Sequence, residues 1–425
     1  MARVARSTSE LLSMMLVSLI PASLLAYRLI YASDPSLAVL ICRPVILAIC
    51  ILLFFLLWYG AQVSETEQRL IGVLVILCGA LLMTSLVATN SIRALQEWSK
   101  LVIMCAIAVM LCRPLRHGPS AKMFGVSLLI VSTMLGGLIV STYIQYMGMV
   151  MPSYAATRVF KSAAMDDAGI PLNPLGFECV FAYLCGMCLL RGTKLLWAIG
   201  LVLLVISSAL TGSRAPLAVF AVSGIVLVLI NALHSRRMLF RVVGALVAAG
   251  MVIALAVTAT LASPQQMSAL TEGRWNLWSV ALHKFALRPI WGNGYLSAQD
   301  SIYLSGGYHN EYLTALAEQG LIGFLAVAYL FWFLLSCCWK LAFHPLLGSR
   351  NGQCILFTCL FLLFRAFVEL PGLFGTAQGP ADFLAYIFVA IVISRIAHQE
   401  LLSKFPVQHR DRPIPLARAS SAHAA

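Results

Sequence analysis

The chain has 425 residues, of which 61% are hydrophobic and only 11% charged, whereas a soluble globular protein is closer to half apolar and a quarter charged. Its net charge is +13, but the basic residues are scattered between apolar runs and are not gathered in one domain, which argues against nucleic-acid binding. The composition therefore excludes an ordinary soluble domain and indicates a membrane protein.

Apolar runs long enough to cross a bilayer recur along the chain, and each must be helical because lipid offers the backbone no hydrogen-bond partner. The alternating pattern of an outer-membrane barrel is absent. Hydropathy predicts about twelve membrane helices, at residues 11–32, 36–60, 68–89, 97–113, 122–150, 173–190, 194–211, 216–233, 239–262, 311–338, 352–370 and 380–398. We therefore predict an all-α polytopic membrane protein with a transmembrane domain over residues 1–402 and a disordered cytoplasmic tail over residues 403–425.

The short connections between these helices predict the orientation of the chain. If the N-terminus is cytoplasmic, the even-numbered connections and the tail carry Lys and Arg residues such as Arg113, Arg236 and Lys340, as the positive-inside rule requires. Both termini are then cytoplasmic. The opposite face keeps two long connections, at about 151–172 and 263–310, and loops of this length are usually functional.

The second long connection begins with an amphipathic stretch. Its apolar residues follow helical spacing, at Trp275, Trp278, Leu282 and Phe285. A stripe of this kind is typical of a short helix in the headgroup layer. The stretch ends at Arg288-Pro289, and Gly292 and Gly294 then permit a tight turn. Arg274 and Arg288 are candidate substrate-binding residues, with ordinary headgroup contacts as the alternative.

The same connection closes with Tyr308-His309-Asn310 directly before a membrane helix. Asn310 is a good N-cap, so His309 lies at the mouth of that helix, whose positive end favours phosphate. Histidine is also the side chain best suited to proton transfer near neutral pH. We therefore predict that His309 is catalytic and that Tyr308 and Asn310 contact substrate.

Further basic residues fall on the same face. Arg214 lies in an outer turn, where Arg is unusual; it has either a functional role or a snorkelling role. Arg365 and Glu369 are spaced i, i+4, which fits either an intramembrane ion pair or a substrate role. Arg158 and Lys161, in the first long connection, are weaker candidates for substrate binding.

The charge pattern favours a diphosphate held without a metal. Arginine donates bidentate hydrogen bonds to phosphate oxygens and stays charged. Several Arg residues beside one His, with no acidic cluster, suggest that protein cations stabilise a leaving diphosphate. Asp166 and Asp167 are adjacent and not spaced, and most of the twelve cysteines lie in apolar runs as packing residues. We expect no metal and no cofactor.

Three segments together resemble the O-antigen ligase and polymerase superfamily, over roughly residues 195–340. They are Ser213-Arg214-Ala215; Arg274-Trp275 through Pro289-x-x-Gly292-x-Gly294; and His309-Asn310-Glu311-Tyr312 followed by Glu318-x-Gly320-Leu-Ile-Gly323. The His-Asn segment before a helix, with Gly-Leu-Ile-Gly after it, is the most specific part of this resemblance.

The resemblance implies a glycosyltransferase of the C type in the bacterial inner membrane, with 263–310 as its periplasmic catalytic loop. Its donor would be a glycan on undecaprenyl diphosphate, and a ligase would transfer this glycan to the lipid A–core oligosaccharide. By the same resemblance Arg214 and Arg274 would bind the diphosphate. His309 would act on the acceptor hydroxyl, and the anomeric configuration would be inverted.

Alternatives stay open at this point. A repeat-unit polymerase and a protein O-oligosaccharyltransferase share the donor and the chemistry but differ in the acceptor. A transporter of a lipid-linked substrate is a different class, and Glu178 and Glu318, both within predicted helices, are the residues that favour it. Covalent transfer of the glycan distinguishes the enzymes from the transporter.

Overall fold

The computed structural model describes residues 12–23, 25–26, 48–49, 63–88, 90–116, 118–147, 172–190, 194–211, 215–234, 238, 242, 274–295, 308–343, 349–368 and 380–404. The regular structure in these ranges is helical throughout. In chain order the helices are α1 (Leu12–Ser23), α2 (Glu65–Leu86), α3 (Ser91–Cys112), a 3-10 turn (Pro114–Arg116), α4 (Gly118–Met147), α5 (Leu172–Leu189), α6 (Lys194–Thr211), α7 (Ala215–His234), α8 (Arg274–Leu287), α9 (Glu311–Phe343), α10 (Ser349–Val368) and α11 (Pro380–Lys404).

Six of these helices are long and apolar enough to cross a membrane, namely α2, α3 with its 3-10 turn, α4, α7, α9 and the Phe383–Leu401 part of α11. Shorter apolar segments lie in α1, α5, α6 and α10. The prediction of an all-α polytopic membrane protein is thereby confirmed. Most of the predicted helices at 36–60 and 239–262, and the tail from 405 onward, lie outside the described residues, so the number twelve stays a prediction.

Two helices, α5 and α11, form the centre of the bundle. Every side chain from Leu175 to Leu189 and from Phe383 to Ser394 is buried. A helix that is apolar and buried on all sides belongs to the core of a bundle. The surrounding helices are exposed on one side, and α7 presents apolar residues such as Val228 there, as a lipid-facing helix does. Residues of α5 near its start are therefore available to line an internal site.

Hydrogen bonds and ion pairs distinguish the two ends of the bundle. At the first end, which we call the Glu67 end, Glu67 pairs with Arg116 and Thr66 donates to Glu400. The start of α2, the 3-10 turn after α3 and the end of α11 meet there. The predicted orientation places all three on the same side of the membrane. At the Asn310 end, the Nδ2 of Asn310 donates to the carbonyl oxygen of Phe367 at 3.1 Å.

Helix α9 is interrupted at Gly320, whose φ of 63° and ψ of −163° are not helical. The backbone after α8 fills the interruption. The N–H groups of Asn293 and Gly294 donate to the carbonyl oxygens of Ala317 and Glu318 at 3.0 and 2.8 Å. In return, the N–H of Leu321 donates to the carbonyl oxygen of Pro289 at 2.8 Å. We call residues 288–294 together with residues 317–322 the clasp.

The clasp explains the glycines in two of the sequence motifs. A Cβ atom on Gly320 would lie 2.3 Å from the carbonyl oxygen of Ile290, and one on Gly292 would lie 2.4 Å from that of Glu318. Both glycines also have φ in the left-handed range, at 63° and 71°. The two backbones can approach closely enough to hydrogen-bond only because neither position has a side chain.

Replacement of Gly320 by alanine is expected to destabilise the protein. Its backbone conformation is open essentially only to glycine, and a residue held in such a region costs on the order of 1–3 kcal/mol before any clash is counted. Thermal unfolding of the purified protein in detergent measures the effect. The matched control is Gly79→Ala in α2, where an added Cβ has no neighbour within 4 Å and the melting temperature should stay the same or rise slightly. Equal melting temperatures for both variants would contradict the requirement for glycine at position 320 of the clasp.

Candidate active site

The approach to α9 is fixed by Asn310, which caps the helix as predicted. Its Oδ1 accepts a hydrogen bond from the N–H of Leu313 at 3.0 Å, and its Nδ2 donates to the carbonyl oxygen of Phe367 at the end of α10. Both polar groups of the side chain are thus engaged within the protein, which ties the start of α9 to α10. A contact between Asn310 and substrate stays a prediction.

His309 has a backbone conformation that is unusual for its residue type. Its φ is 50°, and no other non-glycine residue in the described ranges has φ in the left-handed region. Such strain persists only where the surroundings fix it, and it concentrates at functional sites. The side chain is half-buried. Its Nδ1 is buried and has no hydrogen-bond partner within the described part of the chain.

Two arginines act on the imidazole of His309. Burial lowers the pKa of His309, and the positive charges of Arg274 and Arg365 lower it further. Both effects disfavour the imidazolium form, because burial removes water and like charges repel. His309 is therefore neutral at pH 7, which is the state in which it can accept a proton.

Arg365 occupies a deep position on α10 and is only 2% exposed. Its guanidinium carbon lies 4.4 Å from the centre of the Phe177 ring. It interacts electrostatically with Arg274 and with two buried carboxylates, those of Glu311 and Glu178. A charge at membrane depth needs partners of this kind. These acidic neighbours come from α9 and α5, whereas Glu369, the partner that sequence spacing suggested, lies outside the described residues.

Arg274 is the first residue of α8, which runs from Arg274 to Leu287 and ends before Arg288-Pro289 as predicted. The helix packs on α9 through a small buried cluster of Ala281, Tyr308 and Ala317. Arg274 itself is half-buried. Because α8 lies against the start of α9, its first residue reaches the surroundings of His309.

Tyr308 is fully buried beside this cluster. Burial and the nearby charge of Glu318 raise the pKa of its phenol, and the Nζ of Lys284 lies 6.0 Å from the centre of its ring. Its hydroxyl has no hydrogen-bond partner among the residues that the structure describes. In this structure Tyr308 packs between α8 and α9, and its contact with substrate stays a prediction.

Arg288 does not lie near Arg274 and His309. It is exposed and follows the last residue of α8, so it lies about 21 Å along the helix from Arg274, at 1.5 Å per residue. One diphosphate cannot bridge that distance. Arg158, Lys161, Arg214 and Glu369 lie outside the described residues; of these, Arg214 is flanked by Thr211 and Ala215, which end α6 and begin α7.

Two residues that the sequence did not assign to the site are Glu178 and Glu311. Both are buried, at 0% and 2% exposure, near Arg365. The signal that could have identified Glu178 is an acidic residue inside an apolar run, since such residues are rare and usually functional, and Glu311 directly follows His309-Asn310 in the sequence. Their position indicates that they balance the charge of Arg365.

The arrangement combines one neutral imidazole with two guanidinium groups at the N-terminus of a helix. Guanidinium groups and a helix N-terminus bind phosphate, and the imidazole can accept a proton from a hydroxyl beside it. Within the described ranges, no three His, Cys, Asp or Glu side chains are grouped as metal ligands would be. The protein is thus a polytopic helical membrane protein with a cationic site that can carry out acid–base chemistry on a phosphate-bearing substrate.

One segment of the chain matches the model of a known protein family. Residues 199–328 match the model of the family described as "O-Antigen ligase". This segment, which holds Arg274, His309 and the clasp, is similar to the O-antigen ligase superfamily, a family of glycosyltransferase-like enzymes. No curated protein matches the chain. The resemblance drawn from the sequence motifs is therefore confirmed.

Removal of Arg274 is expected to raise the pKa of His309, because one of the two repelling charges is lost. Diethyl pyrocarbonate modifies neutral imidazole, so the rate of His309 modification against pH, followed by peptide mass spectrometry, reports that pKa. In the wild type the midpoint should lie below the ordinary value of 6.5. Arg274→Ala should shift it upward, and Arg288→Ala, which removes an exposed charge, should leave it in place. An unchanged midpoint in Arg274→Ala would show that the charge of Arg274 does not act on His309.

Proposed function

We propose that the protein is an O-antigen ligase that transfers a glycan from undecaprenyl diphosphate to a hydroxyl of the lipid A–core oligosaccharide. The reaction would take place at the periplasmic face of the bacterial inner membrane, which we assign to the Asn310 end. The basic connections at the Glu67 end are then cytoplasmic, in keeping with the positive-inside rule. Completed lipopolysaccharide would be the product.

The single observation that carries this proposal is that a half-buried histidine lies close enough to Arg274 and Arg365 for both charges to act on its imidazole. Burial, Arg274 and Arg365 together keep the pKa of His309 low. The same two cations attract the diphosphate of a lipid-linked donor. A catalytic base and a phosphate site are thus provided in one place, which is the combination that transfer from a diphosphate to a hydroxyl requires.

The transfer step can be written with these residues. His309 accepts the proton of the acceptor hydroxyl while the hydroxyl oxygen forms a bond to C1 of the donor sugar. The bond between C1 and the phosphate oxygen breaks, and its electron pair leaves with undecaprenyl diphosphate. Arg274 and Arg365 offset the charge that grows on the leaving group, a major contribution in such reactions. Direct displacement of this kind inverts the configuration at C1.

The proposal includes Arg214, which belongs to the predicted site on sequence alone, and two residues that the structure adds, Glu178 and Glu311. Arg214, which follows the end of α6 at Thr211 and precedes the start of α7 at Ala215, would add a third cation to the diphosphate. Glu178 and Glu311 would keep the net charge moderate, so that Arg365 can stay at depth before the donor arrives. Because protein cations supply the positive charge, the reaction would need no metal ion.

His309→Ala is expected to lower kcat by about 10²–10⁴-fold, the usual contribution of a general base. The assay uses purified protein in nanodiscs with undecaprenyl-diphosphate-linked glycan, rough lipopolysaccharide as acceptor and EDTA in the buffer. His283→Ala is the matched control, because His283 is an exposed histidine on α8, and it should transfer at the wild-type rate.

Each other outcome of this assay identifies a different activity. Lengthening of the glycan without the core acceptor would make the protein a polymerase, and transfer to a protein would make it an oligosaccharyltransferase. Loss of wild-type transfer in EDTA, restored by a divalent ion, would contradict the metal-independent mechanism. If no covalent product forms under any of these conditions, a transporter becomes the better assignment.

The pH dependence of kcat/KM should follow the free enzyme's His309. Neutral imidazole is the reactive form, so the rate falls as pH falls through the pKa of His309. That pKa is lowered from 6.5, so the rate at pH 6.5 should still exceed half of its plateau value. In Arg274→Ala the inflection should move to higher pH, in addition to the loss of rate. An acid limb centred above pH 6.5 in the wild type would contradict the assignment of His309 as the base.

A further inference from the structure

Asn293 joins α8 to α9 at the clasp. Its Nδ2 donates one hydrogen bond to the carbonyl oxygen of Lys284 and another to that of Ala317, both at 2.9 Å. Its backbone N–H also donates to Ala317 at 3.0 Å. One residue of the connection therefore contacts the end of one helix and the interruption of the other.

Both of these carbonyl groups lack their usual helical partner. Lys284 is one of the last four residues of α8, whose carbonyl groups receive no intrahelical hydrogen bond. Ala317 would receive one from Leu321 in a continuous helix, but Leu321 donates to Pro289 instead. A buried carbonyl group that lacks a hydrogen bond destabilises the folded state. The side-chain amide of Asn293 therefore satisfies the carbonyl group of Lys284, and it adds a second hydrogen bond to the carbonyl group of Ala317, which also accepts one from the backbone N–H of Asn293.

The clasp joins the end of α8 to the interruption of α9, and both helices start at the candidate active site. Lys284 is about 15 Å along α8 from Arg274, and Ala317 is about 9 Å along α9 from Glu311. Between these ends, the buried cluster of Ala281, Tyr308 and Ala317 holds the helices together. Arg274 and His309 are thus joined through two short helices whose spacing is set at the clasp.

We infer that Asn293 is a positioning residue that sets the placement of Arg274 relative to His309 by holding α8 in register with α9. For the transfer reaction this inference rests on the proposed function. For the interaction between the two side chains it does not, because that interaction exists without substrate.

Three variants of Asn293 separate hydrogen bonding from packing. Asn293→Asp keeps the shape but places a carboxylate without donors against two carbonyl oxygens, so it should disturb the clasp at least as much as Asn293→Ala. Asn293→Ser keeps one donor and should give an intermediate effect, and it serves where the other variants fail to give a monodisperse protein. Asn276→Ala is the matched control, because Asn276 is an exposed asparagine on the same helix.

The first measurement needs no substrate. If α8 shifts, Arg274 moves away from His309 and the pKa of His309 rises, which the diethyl pyrocarbonate titration detects. Hydrogen–deuterium exchange should at the same time become faster at the amides of the clasp, at Gly292, Asn293, Gly294 and Leu321. We expect both changes in the alanine and aspartate variants and neither in Asn276→Ala. Faster exchange with an unchanged titration would overturn the inference, because the clasp would then be of local importance only.

The second measurement is transfer kinetics. A displacement of about 1 Å in a reacting group can cost on the order of 10²-fold in rate, so kcat should fall about 10–100-fold while KM for the donor changes less than about 3-fold. A loss of transfer without any change in the titration would also overturn the inference. If the wild type transfers no glycan but the titration responds as expected, the proposed function fails and the positioning of Arg274 by Asn293 stands.

Discussion

A backbone that lies in a membrane must find its hydrogen-bond partners within the protein, and this constraint governs the part of the structure that carries the site. Helix α9 is interrupted at Gly320, and the interruption leaves N–H and carbonyl groups without their helical partners. The segment after α8 supplies those partners. Because the segment that follows α8 must reach the interruption of α9, α8 has to lie beside α9. The position of Arg274 next to His309 is thus a consequence of satisfying backbone groups.

The electrostatics of the site depend on how the buried charge of Arg365 is compensated. Arg365 is buried on α10, and water cannot solvate its charge; Glu178, Glu311 and the face of Phe177 surround it. Breaking such a buried arrangement by removing one partner is generally costly, because a charge is left uncompensated. The acidic residues therefore make a buried cation tolerable, and that cation in turn acts on His309.

Much of the helical architecture could be predicted from the sequence, because membrane helices depend on local hydropathy alone. The end of α8 before Arg288-Pro289 and the cap at Asn310 were also predictable, since each depends on a few neighbouring residues. The interruption of α9 was not, because Gly320 lies within an apolar run that reads as one helix. Its reason is a set of hydrogen bonds to a segment about thirty residues earlier in the chain.

The candidate site was predictable in part for the same physical reason. His309 and Arg274 stand out in short motifs, whereas the neighbours of Arg365 come from helices far apart in the sequence. Spacing pointed to Glu369, and the structure gives Arg365 contacts with Glu178, 187 positions earlier in the chain. Arg288 shares a stretch with Arg274 but lies at the other end of the helix, a separation that a helix of known rise imposes.

The positive surroundings of His309 also couple its basicity to occupancy of the site. Burial lowers the pKa of His309 whether or not an anion is bound, but an anion beside Arg274 and Arg365 would offset the effect of their two charges, so the proton affinity of His309 would rise when the anion enters and fall when it leaves. At pH values close to the pKa of His309, binding of a diphosphate would then be accompanied by uptake of protons from the buffer. A lipid-linked donor would in this way strengthen the base that acts on its own acceptor, and the empty enzyme would keep that base weak.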